Sequence, residues 1–594
     1  MVGRASVVWM VTMAALAGAA EPFDVVVVGA TPGGIMAAVA AARRQRTVLL
    51  LERGQHLGGL PANGLGATDI ATRGATGGLF REFVDRVREH YERTYGADSP
   101  QVRDCSGGFH FEASVAEKVF ETMLSEQSKI TVLRRRQFDA RPANVVKEGP
   151  ALVGLRVTDL TSGEVETWRG RTFVDATYEG DLAAAAGAPF RTRREGAAEL
   201  GEPRAGRLYI AWGGKQLGEG STGEGDDTIQ AYNYRLCLTD RADNLVPIPK
   251  PGGYRREEYV SLVDDLRLGR CALANGTPRG IGWLTNMVKL PNGKTDANNQ
   301  HGALLSTDLP EENWRWPTAD WAWRDQFAAR LRDYILGLFW FAQHDEALPA
   351  EFRAECARWG LARDEYQDNG HFPRQCYVRE GRRIEGEYLF TAHDALPAPG
   401  RERPPIHADS ITASHYALDS HAHRKREPGR VHLDGFFSYP TRPYTVPYRV
   451  IVPRAVEHLL VPVAASATHV GFSTLRMEPC WMALGQAAGT AAALALDAGV
   501  SVRRVDVSAL QDALLKDGAV LIHYTDAGPT HEAYVALQWF GVRGLLPGWA
   551  ASLDKLATGG EAEGWAAAVG QPLTGYTAGK TTRGELLRAL YARR

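Results

Sequence analysis

The feature that most constrains this chain is a short apolar run that breaks on glycine. Val25-Val26-Val27-Val28 leads into Gly29-Ala30-Thr31-Pro32-Gly33-Gly34 and then into an Ala-rich stretch from Ile35 to Arg44. Four consecutive β-branched residues suit a strand of a parallel sheet covered on both faces. Gly29 permits the tight turn off that strand. Gly34 lets the following helix pack closely on it, with free N–H groups of the helix start aimed at a pyrophosphate. Pro32 and Gly33 complete the turn. The second glycine of the usual G-x-G-x-x-G pattern is Thr31 here, a small residue whose hydroxyl is available as a hydrogen-bond donor. A second apolar strand, Thr47 to Leu51, ends in Glu52, eighteen residues after Gly34. A carboxylate at that place accepts hydrogen bonds from the adenosine ribose hydroxyls. Strand, glycine turn, small-residue helix, strand and terminal acid predict a Rossmann-type dinucleotide-binding unit in an α/β fold.

At 594 residues the chain is far too long for one small core. Residues 1–20 read as a secretory signal, with Arg4, an apolar run from Ala5 to Gly18 and the small-residue cleavage site Ala17-Gly18-Ala19. That run is short against the roughly 20 residues of a membrane-spanning helix. No transmembrane span is expected, and the predicted location is secreted or periplasmic. A single Arg precedes the run, so the twin-Arg mark is missing and a dinucleotide is expected to be acquired after export. Residues 21–194 form the first part of the nucleotide-binding domain. Residues 195–440, rich in Arg, Trp, Gly and Pro with a helix around Trp321 to His344, read as an inserted substrate or cap domain. Residues 441–501 close the nucleotide fold through a strand at Leu459 to Pro462 and a small-residue helix from about Met482 to Ala498. Residues 502–594 are a mostly helical C-terminal appendage.

Composition removes several function classes. The net charge of -2 and the lack of a basic run argue against nucleic acid as a partner. Cys105, Cys237, Cys271, Cys356, Cys376 and Cys480 show no C-x-x-C spacing, which argues against a structural zinc or an iron–sulfur cluster. No metal is expected. Disulfides and buried free thiols both remain open. There is no G-x-S-x-G elbow, which lowers a hydrolase reading.

Further motifs carry a family likeness. They are Glu52-Arg53 with Leu57-Gly58-Gly59, Asn63-Gly64-Leu65-Gly66-Ala67-Thr68-Asp69, Phe109 to Glu112, Asp175 to Leu182 with Gly180-Asp181, and Leu290 to Asp296. Arg379-Glu380-Gly381-Arg382-Arg383, Pro447-Tyr448-Arg449 and Ser466 to His469 through Arg476 to Gly485-Gln486-Ala487-Ala488-Gly489-Thr490 continue it. Over about residues 23–500 the chain resembles the FAD-dependent oxidoreductase family that includes putative xanthan lyases. The resemblance implies FAD, with Gly485, Gln486, Ala487 and Gly489 as a bare helix surface near the flavin and pyrophosphate. Arg53, Gly58, Gly59, Gly66, Asp175, Gly180 and Asp181 join Glu52 and the Gly29–Gly34 turn as expected cofactor contacts. One departure stands out: the family often has a Gly-Arg pair where this chain reads Val463-Ala464-Ala465. The C-terminal Pro529-Thr530-His531, Gln538-Trp539-Phe540 and Thr581 to Leu586 loosely resemble a single surface-layer homology module. That implies possible cell-wall contact, but packing on the enzyme is the favoured expectation.

A flavin performs redox chemistry itself, so the protein's task is to position substrate and move protons. His469, just before the closing segment, is the first candidate, with Arg476 for an anionic group and Arg379 and Arg383 for substrate binding. Runs such as 379–383 are more often a solvated face. Ser414-His415-Tyr416 and Asp419-Ser420-His421 add imidazoles and carboxylates nearby. The resulting expectation is an exported FAD-dependent oxidoreductase acting on a small polar substrate, with a separate electron acceptor. A carbohydrate derivative is one candidate, given 14 Trp and 20 Tyr. The alternatives are a polysaccharide lyase and a non-catalytic wall-associated binding protein with a vestigial flavin site.

Overall fold

The computed structural model describes residues 21–271, 278–573 and 576–594, so residues 1–20, where a secretory signal is expected, lie outside the described residues. Strand β1 (Phe23–Val28), helix α1 (Pro32–Arg43) and strand β2 (Val48–Leu51) open the fold. β1 pairs in parallel with β2, and β2 with β3 (Ile130–Leu133). On its other side β1 pairs in parallel with β4 (Val165–Asp175), whose first half turns away into an antiparallel meander with Ala151–Asp159. The run of valines is a strand buried on both faces. Val25 and Val27 enter the large core that holds α1, while Val26 and Val28 enter a smaller core with Leu49, Leu51 and Phe173. Successive side chains point to opposite faces, so an unbroken apolar run serves two layers at once.

The chain comes back to this sheet after nearly 300 residues. β5 (Leu459–Leu460) pairs in parallel with the end of β4, Leu459 opposite Phe173 and Leu460 opposite Val174. Between the two lies a five-stranded antiparallel sheet in the order 245–246, 360–362, 236–239, 294–299, 285–290. The long helix α2 (Trp321–His344), capped by the Asp320 carboxylate on the Trp323 N–H, accompanies it. After β5 come α3 (His469–Leu475) and α4 (Glu478–Ala498). α4 starts four residues earlier than the sequence pattern predicts, because Pro479 sits in its first turn, where a missing N–H costs nothing.

α4 lies directly on α1. An added Cβ at Gly485 would stand 1.9 Å from the Gly33 carbonyl oxygen, and one at Gly489 2.1 Å from that of Ala37. Two glycines one turn apart therefore bring the helix backbones into contact, which locks the returning chain beside the opening one.

The C-terminal helices pack into the same core rather than standing apart. Val520 accepts a backbone hydrogen bond from Ala413 at 2.7 Å. The buried Gln538 accepts from the Leu521 and Ile522 N–H groups and donates to the Ile522 carbonyl. The last helix has its expected cap, with Thr582 and Glu585 in a reciprocal capping box. All six cysteines are buried free thiols. Among the described residues no helix is long and apolar enough to cross a membrane.

Candidate functional site

A cleft of about 1100 Å³, its open mouth included, runs along the ends of β1 and β2, over the start of α1 and under α2. Gly29, Thr31, Glu52, Arg53, Gly59 and Asp181 are among its walls. Gly29 has φ +95°, and a Cβ there would meet the Ala176 carbonyl group at 2.9 Å. Only glycine serves at such a turn. A Cβ at Gly34 would lie 2.0 Å from the Gly29 carbonyl oxygen, so this glycine closes the helix onto the strand. Gly33 packs instead on the returning chain, its Cβ position 2.9 Å from Val463 and 3.1 Å from the Trp481 carbonyl oxygen. Pro32 occupies the first helical turn.

Thr31 explains how the turn does without its second glycine. Its backbone is extended, with φ -65° and ψ 165°, and it caps α1. The hydroxyl accepts from the Gly34 N–H at 3.2 Å and donates to the Ala176 carbonyl at 2.8 Å. The donor expected for a phosphate is thus spent on the fold. Glu52 sits at the end of β2 with one carboxylate oxygen accepting from Ala30 N–H at 2.9 Å and the other from Gly54 N–H at 2.7 Å. Burial pushes its pKa up, and these backbone donors oppose the shift. Each oxygen keeps a lone pair for a ribose hydroxyl.

Other cofactor expectations divide. Gly59, at φ +51°, lies against Tyr178, whose hydroxyl would be 2.4 Å from a Cβ there. Gly58, at φ +98°, faces Phe120 and shapes the loop. Arg53 stacks 4.1 Å over the Trp321 ring and pairs with Asp325, so the inserted region holds it at the cleft edge. Gly180, with φ +66°, turns the chain into Asp181. Asp181 lines the cleft, but Arg324 of α2 binds it at 2.6 and 2.9 Å and Arg382 at 2.6 Å. Glu179 beside it is raised to about 7 by burial, with Arg324 opposing.

Six expected cofactor contacts need correction. Asp175 does not reach the cleft: it accepts from Thr177 and from the Ala183 N–H, and burial raises it to about 6. Gly66 is a contact with the second sheet, its N–H donating to Asp296 and its Cβ position 2.5 Å from Leu290. Gly485 and Gly489 face α1, so no flat cofactor approaches that surface. Gln486 accepts the Leu79 N–H at 2.8 Å, and Ala487 is buried in the core. The expected bare helix face exists, but another helix covers it. The returning segment meets the cleft at one place, where cleft-lining Tyr178 donates to Glu478 at 2.6 Å. Burial lifts Glu478 to about 8.

Behind one wall of the cleft lies a layer of buried charge. Cys376 and Val378 line the cleft, while Tyr377 and Arg379 alternate to the other side. The Tyr377 ring has the guanidinium carbons of Arg379, Arg235 and Arg476 at 4.8, 5.8 and 5.8 Å from its centroid. Each cation has its acid. Arg235 clamps Asp296, Arg379 meets Asp308 at 3.0 Å, and Arg476 meets Asp419 at 3.2 Å while donating to the Tyr377 hydroxyl at 2.9 Å. The 379–383 run is therefore interior, not a solvated face: Arg379, Glu380, Arg382 and Arg383 are all buried. Arg383 bridges Glu195 and Glu380.

His469 stands in this layer and not at the cleft. Its Nδ1 is 2.8 Å from Glu380, and its Nε2 is 3.1 Å from the Ser420 hydroxyl and 3.2 Å from His423 Nε2. Both ring nitrogens are engaged, so the first catalytic candidate becomes a positioning residue. The sequence reading missed Asp69, Tyr377, Asp308 and Glu478. Asp69 has φ +52°, an unusual backbone for a non-glycine residue, and its carboxylate is 3.5 Å from Arg235. Its side chain keeps 24% of its exposure, and burial of the rest raises its pKa to about 6. The signal for Tyr377 was present as the alternation of residues 376–379, and Asp69 closed the family-like motif Asn63 to Asp69 without being singled out for chemistry. Among the described residues no group of three or more His, Cys, Asp or Glu is arranged to hold a metal ion.

The cleft's backbone donors, helix start, ribose-facing carboxylate and glycine-built turn fit a dinucleotide. The family described as FAD dependent oxidoreductase matches residues 24–514. Similar solved structures include the glycerol-3-phosphate dehydrogenase from Bacillus halodurans complexed with FAD, at 10% identity and TM-score 0.21 over 28% of this chain and 37% of that one. THI4 from Thermovibrio ammonificans has 19% identity and TM-score 0.21 over 29% and 66%. The 3-ketosteroid-Δ4-(5α)-dehydrogenase from Rhodococcus jostii RHA1 in complex with 4-androstene-3,17-dione has 16% identity and TM-score 0.18 over 29% and 51%. The chain spans 37% to 66% of the length of these structures. No curated protein matches. By its matched length, the chain belongs to the FAD dependent oxidoreductase family.

Proposed function

We propose that this enzyme is exported and oxidises a small polar, hydroxyl-bearing molecule, with carbohydrate derivatives as the leading class. The observation that carries the reading is Asp69: a partly exposed carboxylate in strained backbone, set among the paired charges directly behind the cleft wall. Strain of this kind persists only where the surroundings hold it, and it gathers at functional sites. Export rests on the sequence of residues 1–20 alone.

FAD, when bound, supplies the acceptor for a hydride. The start of α1 would hold its pyrophosphate and Glu52 its adenosine ribose. Asp69, near pKa 6, is poised to take the proton of a substrate hydroxyl at neutral pH. Arg235 stabilises the ionised form, and Asp296 holds Arg235 in place. Arg476, Arg379 and His469 keep the surrounding layer rigid.

The test is an absorbance spectrum of the purified protein, then anaerobic addition of sugars and alcohols. Bleaching of the flavin by a hydroxyl-bearing compound is expected; a protein that neither carries nor takes up FAD ends the reading. The base form of Asp69 exists above about pH 6, so the bleaching rate should rise with pH through that region. Asp69→Asn should slow bleaching about 100-fold and remove that limb, while leaving the FAD spectrum unchanged.

A further inference from the structure

We infer that a second pocket, at the far end of the charge layer, binds a carboxylate borne on a ring. Its capacity to bind an anion rests on its own walls, independently of the redox reading above. The pocket holds about 1200 Å³, its open mouth included. Arg270, Arg426, Arg430 and His432 contribute to its walls, and among the described residues no carboxylate does.

The charges under those walls leave a positive excess. Asp265 lies beneath Arg270 at 3.3 Å and Arg426 at 2.9 Å, so one carboxylate serves two guanidinium groups. Arg430 donates to the Glu219 carbonyl at 2.6 Å and stands 4.7 Å from the Tyr209 ring centroid. Its neighbour Glu427 is taken by Arg207 and the Tyr209 hydroxyl. Among the described residues no carboxylate pairs with Arg430. A fixed cation of this kind, in a concave wall, recruits an anion.

The floor is aromatic. Trp212 stacks on His301 with centroids 4.4 Å apart and planes 8° apart, and Phe436 leans on Trp212 at 4.7 Å. Burial lowers His301 to about 4, so at neutral pH this imidazole adds flat surface and no charge. Aromatic floor and cationic wall together suit a ring that carries an acid group, either a uronic acid through its C–H face or an aromatic acid through its π face.

A row of packed side chains leads from the pocket towards the cleft wall. Phe436 lies 5.7 Å and Trp212 6.3 Å from the His421 ring. His421 Nδ1 is 2.7 Å from Asp308, which meets Arg379 at 3.0 Å, one residue from cleft-lining Val378.

Calorimetric titration of the oxidised holoenzyme tests the assignment without turnover. The probes are glucuronate and benzoate, each against a neutral analogue, glucose and benzamide. Saturable binding of one acid below about 5 mM, without binding of its neutral analogue, is expected, and the acid that binds distinguishes sugar from aromatic ring. Arg430→Gln should weaken that acid about tenfold, and Trp212→Leu should weaken it as well, with the flavin spectrum of both variants unchanged. Binding of neither acid, equal binding of the neutral analogue, or an unchanged affinity in Arg430→Gln overturns the pocket. Flavin bleaching is a separate measurement, so loss of the redox reading leaves a distinct signature: intact FAD that no compound reduces.

Discussion

The two faces of residues 376–379 border two regions with opposite electrostatic solutions. On the cleft side, side chains such as Glu52, Arg53, Arg136 and Arg374 share the wall with backbone groups exposed by glycine turns, and open volume is left for a ligand. On the other side Arg235, Arg379, Arg383 and Arg476 are interior and matched by acids from distant segments. A dinucleotide site needs vacancy with oriented dipoles, whereas a buried ionic layer tolerates no vacancy, because an unpaired charge away from water is costly. The same few residues therefore divide a region built to receive from a region built to hold still.

The sharpest way to break that contrast is to unpair the layer. Arg383→Ala removes the guanidinium shared by buried Glu195 and Glu380, and unfolding measurements should show a loss of about 3–5 kcal/mol. A loss under about 1 kcal/mol would mean that water already reaches the layer.

Glu478 tests the boundary between the regions. Burial raises its pKa in the fold to about 8, against an ordinary value of 4.5. The fold thus prefers the protonated acid, and the stability this gives is full below about pH 4.5 and is lost as pH rises towards 8. Glu478→Gln keeps the Tyr178 contact and should remove pH-dependent destabilisation on the order of 4 kcal/mol across that window, read from denaturant midpoints at several pH values.

On the receiving side, Glu52→Ala should weaken FAD retention roughly tenfold to a hundredfold, the worth of hydrogen bonds to a charged group. Equilibrium dialysis reports it, and tight retention in the variant would remove Glu52 from the ribose. The smallest effect belongs to Thr31. Thr31→Ala should cost about 1 kcal/mol of stability as a lost helix cap, with Thr31→Gly costing a few tenths, and neither should change FAD affinity. A drop in affinity larger than the drop in stability would return the hydroxyl to the phosphate.

Much of the cleft was legible because its requirements are local. Gly29 and Gly34 answer to turn sterics, and Glu52 to the end of one strand. The layer was hidden because its logic is pairwise across long separations: Arg383 reads as a surface charge until Glu195 is brought beside it. His469 and the small-residue helix misled for a related reason. Their composition showed what they lacked or carried, but not which neighbour would occupy the space.

By itself the sequence determined the parallel strands, the turn from Gly29 to Gly34, the helix from Trp321 to His344 and the family to which the chain belongs. These follow from side-chain periodicity and backbone sterics within short windows. Only the tertiary structure decided that Gly485 and Gly489 serve helix contact, that His469 is enclosed, and that a half-buried Asp69 stands beside Arg235. Packing partners and burial are properties of surfaces brought together from far along the chain, and no local window contains them.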